Sequence, residues 1–125
     1  MNTNNVVSAP AAADLTGKEY RVVKLTAAGI DICTSADTPI GTLHRAQPHQ
    51  EDGTYAGKAV AVQLKAASVH FCTIGNSSAA VAKGAVLGLD AANPGMLIPG
   101  GTGTIAYAWD AFTAFTGAIV RVIFA

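Results

Sequence analysis

The chain reads as an all-β domain, a small barrel or sandwich of about nine short strands, and three observations predict it. Short β-branched runs recur from Tyr20 to the end, spaced by Gly, Asn, Asp and Pro. Their side chains alternate: in "KAVAVQL", Val60, Val62 and Leu64 share one face while Ala59, Ala61 and Gln63 share the other. Finally, "GKAVAVQL" from Gly57 and "GAIVRVIFA" from Gly117 are two versions of one segment, a glycine followed by a strand.

Taken in order, residues 1–17 are polar and then Ala/Pro-rich with no hydrophobic period, which predicts a flexible N-terminal arm outside a compact domain spanning 18–125. Nine strands are then expected, at Tyr20–Leu25, Ile30–Cys33, Ile40–Arg45, Lys58–Leu64, Ser68–Ile74, Ala85–Leu89, Gly95–Ile98, Thr104–Trp109 and Ala118–Phe124. In the last, Ile119, Arg121 and Ile123 alternate with Val120, Val122 and Phe124, so the face turned from the core is itself apolar enough to meet another surface. Helix signals are weak. "SSAAVAKGAV" supports at most one short helix, which Gly84 ends, and "AWDAFTAFTGA" an irregular turn after Trp109.

The repeat extends beyond its first segment. A strand ends at Leu25 and again at Leu89, a turn delivers Gly29 or Gly95, Ile40-Gly41 or Ile105-Ala106 opens the next strand, and Gly57 or Gly117 launches the last. Two strand units that cannot bury their faces alone are expected to pair into one pseudo-symmetric barrel.

Composition narrows the function. A chain of 125 residues is one domain's worth. Only 13% of its residues are charged, against roughly 25% in an ordinary soluble domain, which points to a surface covered by neighbours. Eight basic and eight acidic residues cancel with no basic cluster, arguing against a nucleic-acid partner. No apolar run approaches the ~20 residues a membrane helix needs, and the N-terminus lacks the basic and apolar regions of a secretory signal. Cytoplasmic synthesis follows as the expectation.

Chemistry-bearing residues are sparse. His70 and Cys72 project to one face of a strand, as an activated thiol requires, but a buried Cys beside a half-exposed His is the simpler reading. Cys33 and Cys72 read as small buried hydrophobes in a reducing compartment. His44, His49, Glu51 and Asp52 are the only cluster resembling metal ligands, at a spacing that matches no fixed pattern. "PGGTGT" lacks the Lys-Ser/Thr of a phosphate loop and precedes a strand. "VAKGAVLGLD" resembles a turn of biotin and lipoate carrier barrels, yet the corresponding tip, "AANPGM", has no lysine to modify. No catalytic residue, metal or cofactor is expected.

From Tyr20 to Ala125, "GKAVAVQLKAASVHFCTIGNSSAAVAKGAVLGLD", a Gly turn and "GTIAYAWDAFTAFTGAIVRVIFA" resemble the small capsid decoration or cement proteins of tailed bacteriophages. The likeness lies in Gly and aliphatic positions. Ala85 stands where an acid is usual, and "IAYAWDA" where that family has an IGxALEA pattern. The resemblance implies a non-enzymatic virion protein, assembled in the host cytoplasm, that binds the outer capsid surface as a homotrimer and clamps neighbouring major capsid proteins. The candidate contacts with capsid or sister subunits are Val6, Val7, Pro10 and Leu15 of the arm, and Trp109, Phe112 and Phe115 near the C-terminus, the aromatics serving either as anchors or as core. The competing expectation is a soluble carrier-like or ligand-binding β-barrel module.

Overall fold

The computed structural model describes residues 6–34, 37–45, 59–65 and 69–125, and every regular element in them is a strand. The first sheet contains β1 (Val6–Pro10), β2 (Val22–Thr26), β3 (Gly29–Ile32), β4 (Gly41–Arg45) and β5 (Ala59–Leu64), in the order β1-β5-β4-β2-β3. The second contains β6 (Val69–Thr73), β8 (Val86–Leu89), β9 (Leu97–Pro99), β10 (Thr102–Ala108) and β12 (Ile119–Phe124), in the order β6-β12-β10-β8-β9. Two short strands, β7 (Ala80–Val81) and β11 (Phe112–Thr113), pair beside it.

The expected repeat is present in the ladders themselves. Gly41 faces Val23 and Leu64, as Ala106 faces Leu87 and Phe124. Val7 opposes Val62 as His70 opposes Val122. Beyond β1, Ala11 makes a parallel bridge to Ile30, and beyond β6, Ile74 makes the same bridge to Leu97. Even the connections agree: Tyr20 N donates to Leu43 O as Gly84 N does to Ala108 O, at 2.7 and 2.8 Å. Tyr20 and Gly84 both have positive φ, and Tyr20 is the sole non-glycine among the described residues to do so. Leu25 and Leu89 correspond as the sequence predicts. Gly29, however, corresponds to Met96, one position beyond Gly95.

Each sheet curls around its own aliphatic interior because the alternate residues of all its strands are apolar. Val23, Ile30, Ile32, Leu43, Val60 and Val62 fill the first core, and Cys72, Ile74, Leu87, Leu89, Leu97, Ala106, Val122 and Phe124 are central to the second. Register shifts in the β4/β5 and β8/β10 ladders aid the curl. Neither ladder closes into a barrel. The single barrel expected from pairing two repeats is therefore replaced by a sandwich-like pair of curled sheets with separate cores.

Of the flexible arm expected over residues 1–17, residues 1–5 lie outside the described residues and the rest is corrected: it packs on the domain. Val6–Pro10 is an antiparallel edge strand on β5, Pro10 stands at the edge position a proline tolerates, and Ala11 and Leu15 are wholly buried in the first core. β1 is the counterpart of β6, so the repeat begins before Tyr20. The short helix expected at Ser77–Val86 is instead β7 and a turn at Lys83–Gly84. With β1, β7 and β11 added, the nine expected strands become twelve among the described residues.

A candidate docking face

The two sheets meet where the outer side of the first covers an end of the second. Val22 and Cys33 belong to the second core although they sit on the first sheet's strands or beside them. The Pro94–Gly95 turn wedges against them: Val22 N donates to Gly95 O and Gly95 N donates to Cys33 O, both at 2.8 Å. Thr73 N donates to Tyr20 O at 2.9 Å, and the Tyr20 ring meets Phe71 edge-on with centroids 6.0 Å apart. Asp90 shapes the turn, its carboxylate accepting from Asn76 N, Ala92 N and Asn93 Nδ2 at 2.8–3.0 Å. These bonds, Asn93's foremost, hold its pKa below the usual carboxylate value.

His70 is fully buried at this joint. Its Nδ1 lies 2.8 Å from Thr42 Oγ1, and its ring stacks at a tilt on Phe124 with centroids 4.7 Å apart. The ring also interacts with the Leu64 backbone, and with its proton on Nε2 the neutral ring would accept at Nδ1 from the Thr42 hydroxyl. Burial lowers the His70 pKa, with the Leu64 bond opposing. Burial also pushes the Cys33 thiol up to about 12 and the Cys72 thiol up as well. Both cysteines are free and buried. The His70/Cys72 pair thus consists of a structural imidazole and an un-ionised thiol, the reverse of what a thiolate nucleophile needs.

Among the described residues no group of three or more His, Cys, Asp or Glu is placed to hold a metal. The expected metal-like cluster falls mostly outside them: His44 is exposed on β4, while His49, Glu51 and Asp52 lie beyond the described residues. No helix among them is long and apolar enough to cross a membrane.

What the described residues offer instead is a surface. On the outer side of the second sheet, Val69, Ile123, Tyr107 and Val86 form a row across four strands. Phe71 stands opposite Arg121 and Thr73 opposite Ile119, while Trp109 N donates to Arg121 O at 3.0 Å. Phe71, Val86, Tyr107, Trp109 and Ile119 are all exposed. Arg121, the cation on this face, is gripped by both oxygens of Asp110 at 2.7 and 3.0 Å, so its charge is matched locally.

Of the seven contact residues expected from the sequence, Trp109 lies on this face and Phe115 is exposed in the turn before β12, while Phe112 is half-buried against the second core. Val6, Val7 and Pro10 are exposed on β1, on the first sheet. Leu15 is corrected: its side chain is sealed in the chain's own core. The sequence did not single out Phe71, Tyr107 and Val86, which are exposed on this same face. Alternation held the signal for Phe71, since His70 and Cys72 pointing inward force Phe71 outward. No family model, curated protein or solved structure matches this chain.

Proposed function

We propose that the chain is a structural virion protein that binds the outer surface of a phage capsid and stabilises it by clamping neighbouring major capsid proteins. One observation carries the reading: the outer side of the second sheet is broad, apolar and exposed, with its arginine already paired to Asp110. Exposed apolar patches of this kind mark interaction sites, and Trp and Tyr are the residues that most often dominate interface energies. Low charge and the resemblance in Gly and aliphatic positions support the same reading, in which the chain acts as a homotrimer on the shell. Many equivalent copies would bind through avidity, each contact being weak alone.

The test is the copy number of the protein relative to the major capsid protein in gradient-purified particles, by quantitative mass spectrometry. A fixed ratio near one is expected, and Trp109→Ala with Phe115→Asp should lower occupancy. Absence of the protein from particles would overturn the reading and direct attention to a soluble ligand-binding module.

A further inference from the structure

The internal repeat gives the exposed residues a specific meaning. Inside the chain, the outer face of the first sheet covers the open end of the second, and every position so covered has a counterpart in the opposite half. Val22 is 0% exposed, whereas its counterpart Val86 is 46% exposed. Thr42 is 2% exposed and its counterpart Tyr107 is 38% exposed. On the receiving side, His70 is 0% exposed and its counterpart Val7 is 39% exposed. The Pro94–Gly95 turn that wedges into the joint corresponds to Ala27–Ala28, which is exposed. The joint is thus made once inside the chain, and its two complementary halves are left exposed, one on each sheet.

We infer that copies of this chain join head to tail, the outer face of the second sheet at Val86 and Tyr107 closing over the open end of the first sheet at Val7 in the next copy. The occupant is another copy because the chain already shows this pair of surfaces fitting together, with Thr42 on His70 and the Gly95 turn against Val22. Where the internal joint buries a hydroxyl on an imidazole, the external one sets Tyr107 against Val7, an apolar pairing suited to two surfaces that meet after folding. Such an interface is heterologous, so repetition yields a ring when the rotation closes and a filament when it does not. It leaves Phe71, Ile119, Trp109 and Phe115 for a larger partner. The inference stands on the internal joint alone and does not require a capsid.

The experiment uses the full chain in shell-free solution at micromolar to submillimolar concentration, with native mass spectrometry and sedimentation equilibrium. Wild type is expected to be a discrete oligomer. Val7→Asp and Tyr107→Asp, both at exposed positions, should each give a folded monomer with unchanged circular dichroism. Mixing the two monomers should restore one interface, between the intact outer face of the Val7→Asp chain and the intact open end of the Tyr107→Asp chain, and so give a one-to-one heterodimer and nothing larger. A monomeric wild type, an oligomer that survives either substitution, or a mixture that stays monomeric would each overturn the head-to-tail interface. Absence of the protein from virions would sink only the capsid reading.

Discussion

The two sheets share strand order, register and a parallel bridge between their edge strands, yet they are covered differently. On the first sheet the outer side carries mainly small and polar residues, Ser8, Ala61, Gln63, Thr42, Lys24 and Asp31, with Val6 exposed at its edge and Val22 and Thr42 buried in the joint. Its ion pair, Lys24 to Asp37 at 2.8 Å, ties β2 to the loop before β4, and that bond together with the Thr34 amide and hydroxyl draws Asp37 down to about 2. On the second sheet the same side is apolar and open. Inward-facing patterns are alike because each sheet must fill a core. Outward-facing patterns are free to diverge, and they record what each sheet meets.

The largest effect is expected at Leu15, wholly buried in the first core. Leu15 is the residue that turns the N-terminal segment into part of the domain, and Leu15→Ala should destabilise the protein by about 2–5 kcal/mol, read by urea denaturation. A change under about 0.5 kcal/mol, typical of an exposed site, would restore the segment to an independent arm.

Next comes a single position with two requirements. Gly41 lies so close to β5 that an added Cβ would strike the Gln63 carbonyl, while its counterpart in the second sheet is Ala106, fully buried. Gly41→Ala should cost roughly 1–3 kcal/mol through overpacking, and Ala106→Gly about 1 kcal/mol through lost packing and backbone entropy. Equal and negligible effects would show that the two β4-type strands are not held at different distances from their neighbours.

At the joint, Thr42→Val removes the hydroxyl hydrogen-bonded to the buried His70 Nδ1 and should cost about 1–3 kcal/mol. The pH dependence follows from the lowered His70 pKa. Above its ordinary value of 6.5 the ring is neutral in both folded and unfolded chains. As pH falls below that, the unfolded chain takes up the proton while the folded chain resists it, so stability declines down to the lowered folded value. His70→Gln should flatten the dependence in this window, and an unchanged profile would show that His70 does not cause it.

The smallest effect sharpens the equivalence of Tyr20 and Gly84. An added Cβ at Gly84 meets nothing within 4 Å, so Gly84→Ala should cost about 1–2 kcal/mol through its positive φ alone. Tyr20→Gly relieves a similar strain but removes the edge contact with Phe71, worth about 0.5–1.5 kcal/mol, so the net change should be near zero.

Nine of the strands were legible, and the division of eight of them into two repeats, because period-two alternation and turn residues are local; that β6 belongs to the second repeat as the counterpart of β1 was not. β1 was not: "VVSAP" has one valine pair and a proline, and it is a strand only because β5 presents an unpaired edge to it. β7 and β11 are two residues each, too short for any period to register. Of the candidate site, the apolar outer side of β12 was legible from Ile119 and Ile123, and Trp109 and Phe115 from their scarcity as aromatics. The row joining Tyr107 and Val86 to Ile123 depends on register between strands distant in sequence.

The all-β class, the alternation that gives each strand an inward face, and the duplication are written in the order and spacing of neighbouring residues. That the repeats form two curled sheets with separate cores, that the segment from Val6 belongs to the first, and that Thr42 meets His70 emerge from the packed chain. Those outcomes rest on contacts between residues far apart in the chain, where equivalent positions such as Val22 and Val86 are chemically identical and differ only in what lies against them.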